Sequence, residues 1–425
     1  MQLLKYKLGE LLDVSRGASL SGEFYSSEGE LIRLTLGHFD YQNGGFKENT
    51  SKDNLYFVGP VKSQFILNEG DIITPLTEQT PGLLGSTAMI PESGKYIQSQ
   101  DVALIRCKED KLDSMFCYYL LPSKIVKSQL GAAAQQTKIR HTTPDRIKDV
   151  IVFIPELEEQ RRIGATLYAI DKKIALNREI NRNLEAMSRQ LYDYWFVQFD
   201  FPDENGRPYK SSGGKMVWNE KLKRDIPESW QVVNLFHGVD IQYGFPFSTE
   251  LFIEEPTLVP VVRIRDILNG TTSAYSKEDA DEKYRLSKGD VVVGMDGNFH
   301  MNIWSDETAY LNQRCVRLRH IEGCPISTLQ VLHEIAPYIK AKEQNAKGST
   351  VGHLSDKDLK AIWIVKPLTT TKFNPEITFA KLSEKIVDNR NEIVALTKQR
   401  DELLPLLMNG QVSVMPTEVN CDLVA

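Results

Sequence analysis

A chain of 425 residues has room for two or three domains and a sizeable core. Its net charge of −6 excludes a protein that coats nucleic acid by bulk positive charge, so any such binding must come from local patches or a basic partner. The five cysteines form no CxxC, no apolar stretch reaches the length of a membrane span, and Lys5, Lys7 and Glu10 interrupt the apolar N-terminus, so a reduced, cytoplasmic protein with no membrane association is expected.

In chain order, residues 8–12 read as a strand, and Ile32-Arg33-Leu34 as a second one carrying a cation. Gly70-Asp71 marks a turn into the β-branched run Ile72-Ile73-Thr74. The polar loop Thr77-Glu78-Gln79-Thr80 follows. Residues 100–106 alternate apolar and polar, the pattern of a half-buried strand, and residues 112–130 read as helical. Next comes the loop Gln135-Gln136-Thr137-Lys138-Ile139-Arg140-His141, a short strand at 149–154, and a helix from Gln160 to Gln198, which would span roughly 58 Å at about 1.5 Å per residue. A helix of that length can hold two globular units well apart. Residues 201–225, rich in Gly, Pro, Ser and charge, read as a linker or a hairpin insertion.

The same order then restarts. Residues 230–235 read as a strand, and Val262-Arg263-Ile264-Arg265 as a strand with cations on alternate positions. Gly289-Asp290 opens another β-branched run, followed by the loop Asp296-Gly297-Asn298-Phe299-His300. Residues 313–319 echo 100–106, and residues 326–344 read as helical. The loop from Asn345 to His353, with Lys347, Ser349 and Thr350, leads to a strand at 361–365 and a second long helix. His353 stands 212 residues after His141, and Pro367 stands 212 after Pro155. The offset is 219 at the Gly-Asp turns and 213 at Gln100 and Gln313, so loops between strands differ in length while the frame persists.

Both helices carry a heptad seam with polar interruptions. Ile174, Asn177, Leu184 and Leu191 in the first recur as Ile386, Asn389, Leu396 and Leu403 in the second. Asn177 and Asn389 share one phase, which makes them candidates to meet each other or to cross at a matched level. Seven cations against four carboxylates between Gln160 and Trp195 give the central helix a positive excess; an ordinary solvated face with some intrahelical pairs accounts for it better than a partner or backbone role does.

Signals of catalysis are missing: the sequence has no P-loop, GxGxxG, HExxH, GxSxG or zinc spacing, and no Asn-Pro-Pro-aromatic run of the kind amino-methyltransferases use. Nucleic-acid signals are present in the polar loops. Gln and Asn pair with adenine, Arg and Lys with guanine, and hydroxyls and Lys suit phosphates. The candidates in the first half are Arg33, Thr77, Glu78, Gln79, Gln135, Gln136, Thr137, Lys138, Arg140 and His141. Those in the second are Arg263, Arg265, Asp296, Asn298, His300, Lys347, Ser349, Thr350 and His353. Each alone reads more readily as a solvated loop residue, and each histidine as a structural one. Their recurrence at equivalent places is what favours an interface.

The segment Ile154-Pro155-Glu156-Leu157-Glu158-Glu159-Gln160-Arg161-Arg162-Ile163, the helix through Trp195-Phe196, the restart Asp225-Ile226-Pro227-Glu228-Ser229-Trp230 and the ending Leu403 to Val412 resemble the specificity subunit of a Type I restriction-modification enzyme. One departure is Pro367-Leu368-Thr369-Thr370-Thr371-Lys372, which replaces the Glu-Glu-Gln-Arg-Arg run in the second copy. The resemblance implies an α+β chain with two mixed α/β target recognition domains, separated by two long antiparallel helices that form a coiled coil, in a pseudo-twofold repeat. The domain map is then 1–155 and 226–368 for recognition, 156–198 and 374–412 for the helices, 199–225 for the linker, and 413–425 for a flexible tail.

It further implies a non-catalytic chain that binds double-stranded DNA at a bipartite target and docks two methyltransferase subunits, which use S-adenosylmethionine. Restriction subunits, translocases with nuclease activity that use ATP and Mg, join through them, and no cofactor is bound by the chain itself. Rival readings are a related phage-defence adaptor and a coiled-coil scaffold that binds protein. A self-contained methyltransferase is disfavoured by the missing motifs.

Overall fold

The computed structural model describes residues 2–133, 140–256, 258–346 and 352–414. The chain divides into two compact units: Met1–Lys173 with Leu396–Ala425, and Ile174–Ala395. Each long helix therefore contributes one part to each unit.

The two units share one strand plan. In the first, an antiparallel sheet runs in the order Leu12–Arg16, Val102–Cys107, Ile72–Pro75, Ala88–Met89. In the second, the order is Val239–Tyr243, Cys315–His320, Val291–Gly294, Met301–Ile303. Beside each lies a small sheet of four short strands that ends in a parallel pair, Ile32–Arg33 with Tyr96–Ile97, and Val259–Val262 with Tyr310–Leu311. The strand before the long helix, Ile151–Ile154, pairs with Leu4–Lys7; its counterpart Trp363–Lys366 pairs with Gln231–Asn234.

Three local expectations are corrected. Residues 8–11 form one helical turn, Leu8–Leu11, between the strands Leu4–Lys7 and Leu12–Arg16, with Glu10 accepting from the Lys7 N–H at 3.0 Å. The central strands are not half-buried: the first four residues of Val102–Cys107 and of Cys315–His320 are all buried. Alternation there sorts residues between two cores. Ala103 and Ile105 face one, Val102 and Leu104 the other; Val316 and Leu318 are likewise separated from Cys315. Finally, Arg263 caps the helical turn Ile264–Ile267, which carries Arg265, so the two cations do not alternate along a strand.

The helices run Leu157–Tyr192, continued by a π-helical turn Asp193–Val197, and Pro375–Met408. Within the second unit their partners run in opposite directions: Asn177 Nδ2 donates to Glu392 at 2.8 Å, Asn389 Nδ2 to Asn181 Oδ1 at 2.9 Å, and Asn181 Nδ2 to the Ile386 carbonyl at 3.1 Å. The pairing is antiparallel. Asn177 and Asn389 do not meet each other, because the antiparallel register sets Asn389 beside Asn181, one turn along. Ile174 and Ile386 are buried, and Leu184 and Leu191 pack against the second unit's core. In the first unit Arg400 pairs with Asp171 at 2.8 Å, Leu403 packs against the core and Leu396 is half-buried.

The 199–225 segment and the restart after it pack as an aromatic cluster. Phe201 stacks on Tyr209, Trp230 and Phe373 at 4.6–4.7 Å, and Phe196 meets Trp230 at 5.3 Å. A hairpin, Met216–Asn219 with Arg224–Pro227, closes it. Two glycines mark equivalent crossings of large and small sheet. A Cβ on Gly17 would stand 2.3 Å from the Ser99 carbonyl oxygen, and one on Gly244 2.0 Å from that of Asn312. Backbone cannot retreat as a side chain tip can. Gly244→Ala is therefore expected to cost about 1–3 kcal/mol, read as a lower urea midpoint at unchanged slope; an unchanged midpoint would sink the close-approach account.

Candidate nucleic-acid interface

The strand that follows each Gly-Asp turn leads into a polar loop, and a β-bridge ties that loop to the histidine. In the first unit Thr77–Glu78 pairs with Arg140–His141, so that Thr77 stands opposite His141. In the second unit Asp296 bridges His353. Asp296 stands 219 residues after Thr77 and His353 stands 212 after His141, the same offsets that relate the Gly-Asp turns and the later repeat. The two bridges are thus one feature present twice. Backbone bonds extend it: the Thr142 N–H donates to the Leu76 carbonyl at 2.9 Å, and the Leu354 N–H to the Met295 carbonyl at 2.7 Å.

The side chains at these bridges differ in chemistry. In the first unit Glu78 is buried; its Oε2 accepts the N–H groups of Leu83 and Leu84 at 2.7 and 2.9 Å, and its Oε1 lies 3.3 Å from Arg140. Arg140 also donates to the Gly131 carbonyl. Burial pulls the Lys127 ammonium below its ordinary pKa, with Glu78 opposing. Glu78 and Arg140 therefore hold the loop, while Gln79 and His141 are exposed. In the second unit the carboxylate of Asp296 meets His353 Nδ1 at 2.6 Å and Arg314 at 3.6 Å, with Asn298 exposed and His300 half-buried beside them.

Other candidates sit away from these loops. Arg33 is buried, donates to the Asn54 carbonyl at 3.1 Å and lies 3.8 Å over the Tyr25 ring. Arg263 is half-buried against Asp266 and Ser273, whereas Arg265 is exposed. Gln135, Gln136, Thr137, Lys138, Lys347, Ser349 and Thr350 lie outside the described residues. Two cations beside the bridges escaped the sequence reading. Arg146 reaches the His141 carbonyl at 3.5 Å, and exposed Arg314 faces Asp296. Arg314 had a detectable signal, since it stands in the frame position that Asp101 holds in the first copy.

Within the Gln-Arg-Arg element after Pro155 the glutamine is a clamp, while Arg161 and Arg162 pair with Glu158 and Glu159 of their own helix. Gln160 is buried; it accepts the Asp113 N–H at 3.0 Å and donates to the carbonyls of Lys111 and Pro155 at 3.1 and 2.9 Å. It ties the start of the long helix to the globular part of its unit.

A mixed α/β domain present twice, with the same bridged polar loop in each copy and joined to paired helices, defines a duplicated two-domain protein. A model of the Type I restriction modification DNA specificity domain matches residues 4–186 and again 227–389, and the chain belongs to that family. It is accordingly a non-catalytic chain whose domains recognise DNA sequence in a restriction-modification system.

The Type I restriction enzyme MjaIX specificity subunit of Methanocaldococcus jannaschii is 23% identical over 317 residues, 72% of this chain and 71% of that one. The EcoBI specificity subunit of Escherichia coli is 31% identical over 183 residues, 43% of this chain and 37% of that one. A crystal structure of the Type I S subunit from M. genitalium shares the fold, with a TM-score of 0.56, 17% identity and 96% coverage of both chains. Among the described residues no helix is long and apolar enough to cross a membrane.

Replacing Glu78 with Ala leaves two N–H donors without their acceptor and Arg140 without its carboxylate. The expected loss is about 2–4 kcal/mol, checked by chemical unfolding. Faster amide exchange at Leu83 and Leu84 should accompany it, and unchanged exchange there would refute the loop-holding role.

Proposed function

We propose that this chain reads a bipartite double-stranded DNA target, one domain to each half-site, and docks two methyltransferase subunits along its paired helices. The observation that carries this reading is the repeated bridge. Two copies of one loop frame hold different exposed groups, Gln79 and His141 in one and Asn298, Arg314 and His353 in the other. Amide and guanidinium groups of this kind pair with base edges in the major groove, and phosphate contacts set position. Different groups in an equal frame suit half-sites of different sequence.

The helices serve as spacer and docking surface, their register held by Asn181 and Asn389. S-adenosylmethionine belongs to the methyltransferase partners; ATP and Mg belong to restriction subunits that join through them, in the cytoplasm. The acidic net charge fits a complex in which the partners supply much of the grip on the DNA backbone.

Exchanging residues 1–154 for another recognition domain should change one half-site of the methylated motif and leave the other intact, as read by methylation profiling of the host genome. Changes in both halves, or in neither, would defeat the modular reading. Removing one heptad from the central helix together with its counterpart in the C-terminal helix should alter the spacer and keep both half-sites. Altered base preference in that variant would count against the helices as a spacer.

A further inference from the structure

Each unit has a cavity where a long helix ends against the helix that precedes the histidine loop. In the second unit a cavity of about 650 Å³ lies between the end of the central helix and the helix Thr328–Ala346. In the first unit a cavity of about 490 Å³ lies between the end of the C-terminal helix and Lys124–Ala133. They are repeat equivalents: Leu404, Pro405 and Asn409 of one lie 212 residues after Tyr192, Asp193 and Val197 of the other. Their chemistry is opposite. Leu404, Pro405, Met408, Pro122 and Ile125 make the first mostly apolar, with Lys124 the one cation among its described lining residues. The second is lined by Arg189, Arg224 and Lys340, with Asp193 as its exposed acid.

Among the described residues none of these three cations has a carboxylate within 4.0 Å. Arg224 lies over the Phe199 ring, 5.2 Å from its centroid, and its charge acts on Glu334, opposing the upward push of burial there. The other acid, Glu334, is buried and turned to internal donors, the Val365 N–H at 2.7 Å and Gln330 at 3.2 Å; burial pushes its carboxyl up to about 7, so near neutral pH it only partly offsets the cations. The neighbouring His333 is lowered to about 4, by burial first and then by Arg189. The wall on the helix side includes the π-helical turn Asp193–Val197, an irregularity that recurs at functional sites.

We propose that the cavity of the second unit is a phosphate site that takes a phosphomonoester, either free phosphate or the terminal phosphate of a nucleotide. Three cations against one exposed acid complement a dianion, and a phosphomonoester carries about −1.5 to −2 at pH 7. Two guanidiniums supply the planar donor forks that oxyanions accept in pairs. A single carboxylate or a DNA phosphodiester would leave cationic charge unmatched.

Titration calorimetry on the full chain tests this with inorganic phosphate and with AMP as separate probes. Both should bind saturably; AMP binding tighter marks a nucleotide site, and equal affinity marks a site for phosphate alone. Arg189→Gln with Lys340→Gln should weaken both probes at least about tenfold, given the strength of charge-assisted hydrogen bonds. Lys340→Gln alone, at an exposed position, should weaken them less, and Lys124→Gln in the apolar cavity should change nothing. Absence of saturable binding in the millimolar range overturns the proposal, as does an affinity untouched by the double variant. Two further probes decide between macromolecules. If the double variant loses affinity for a non-specific duplex instead of phosphate, the cations are DNA-backbone contacts. If a glutamate hexapeptide binds where phosphate does not, the cavity receives an acidic protein segment; either result replaces the phosphomonoester.

Discussion

A single buried amide sets the register of the paired helices. Asn181 donates to the Ile386 carbonyl and accepts from Asn389, so both ends of its side chain are occupied within the seam of the second unit. Sliding either helix by a heptad would put an apolar side chain opposite it and leave its Oδ1 without a donor, at a cost comparable to a lost buried hydrogen bond. Leucines alone would tolerate such a slip. Asn177 on Glu392 and Arg390 on Glu185 add charge to the same alignment.

Much of the frame was legible because it rests on period and punctuation. The Gly-Asp turns, the β-branched runs and the long heptad seams specify their elements locally. The errors have tertiary causes. Residues 8–12 have strand-like composition, yet Leu8 and Leu11 both enter the core by closing a helical turn. The central strands looked half-buried because alternation cannot reveal that a second core covers the other face. Asn177 and Asn389 share a phase, but phase within one helix does not state which residue an antiparallel neighbour brings into contact, and each bonds another partner.

The polar residues separate along the same line. Arg33, Glu78 and Arg140 have the composition of an interface, but their partners are a backbone carbonyl, loop N–H groups and each other. Charge alone could not distinguish them from Gln79 or His353, because the difference lies in burial. Gln160 shows the converse. Its motif marks the family, and its role in this chain is to clamp Lys111, Asp113 and Pro155.

The bridge between each Gly-Asp loop and its histidine is made by main-chain atoms, and this has a consequence for how such chains change. A main-chain bridge is indifferent to the side chains hung upon it, as Thr77 and Asp296 at one position demonstrate. Substitutions at the exposed loop positions are therefore nearly neutral for folding. On the proposed reading of these loops, stability and recognition become separable traits, and a lineage can explore new targets without first having to repair its architecture.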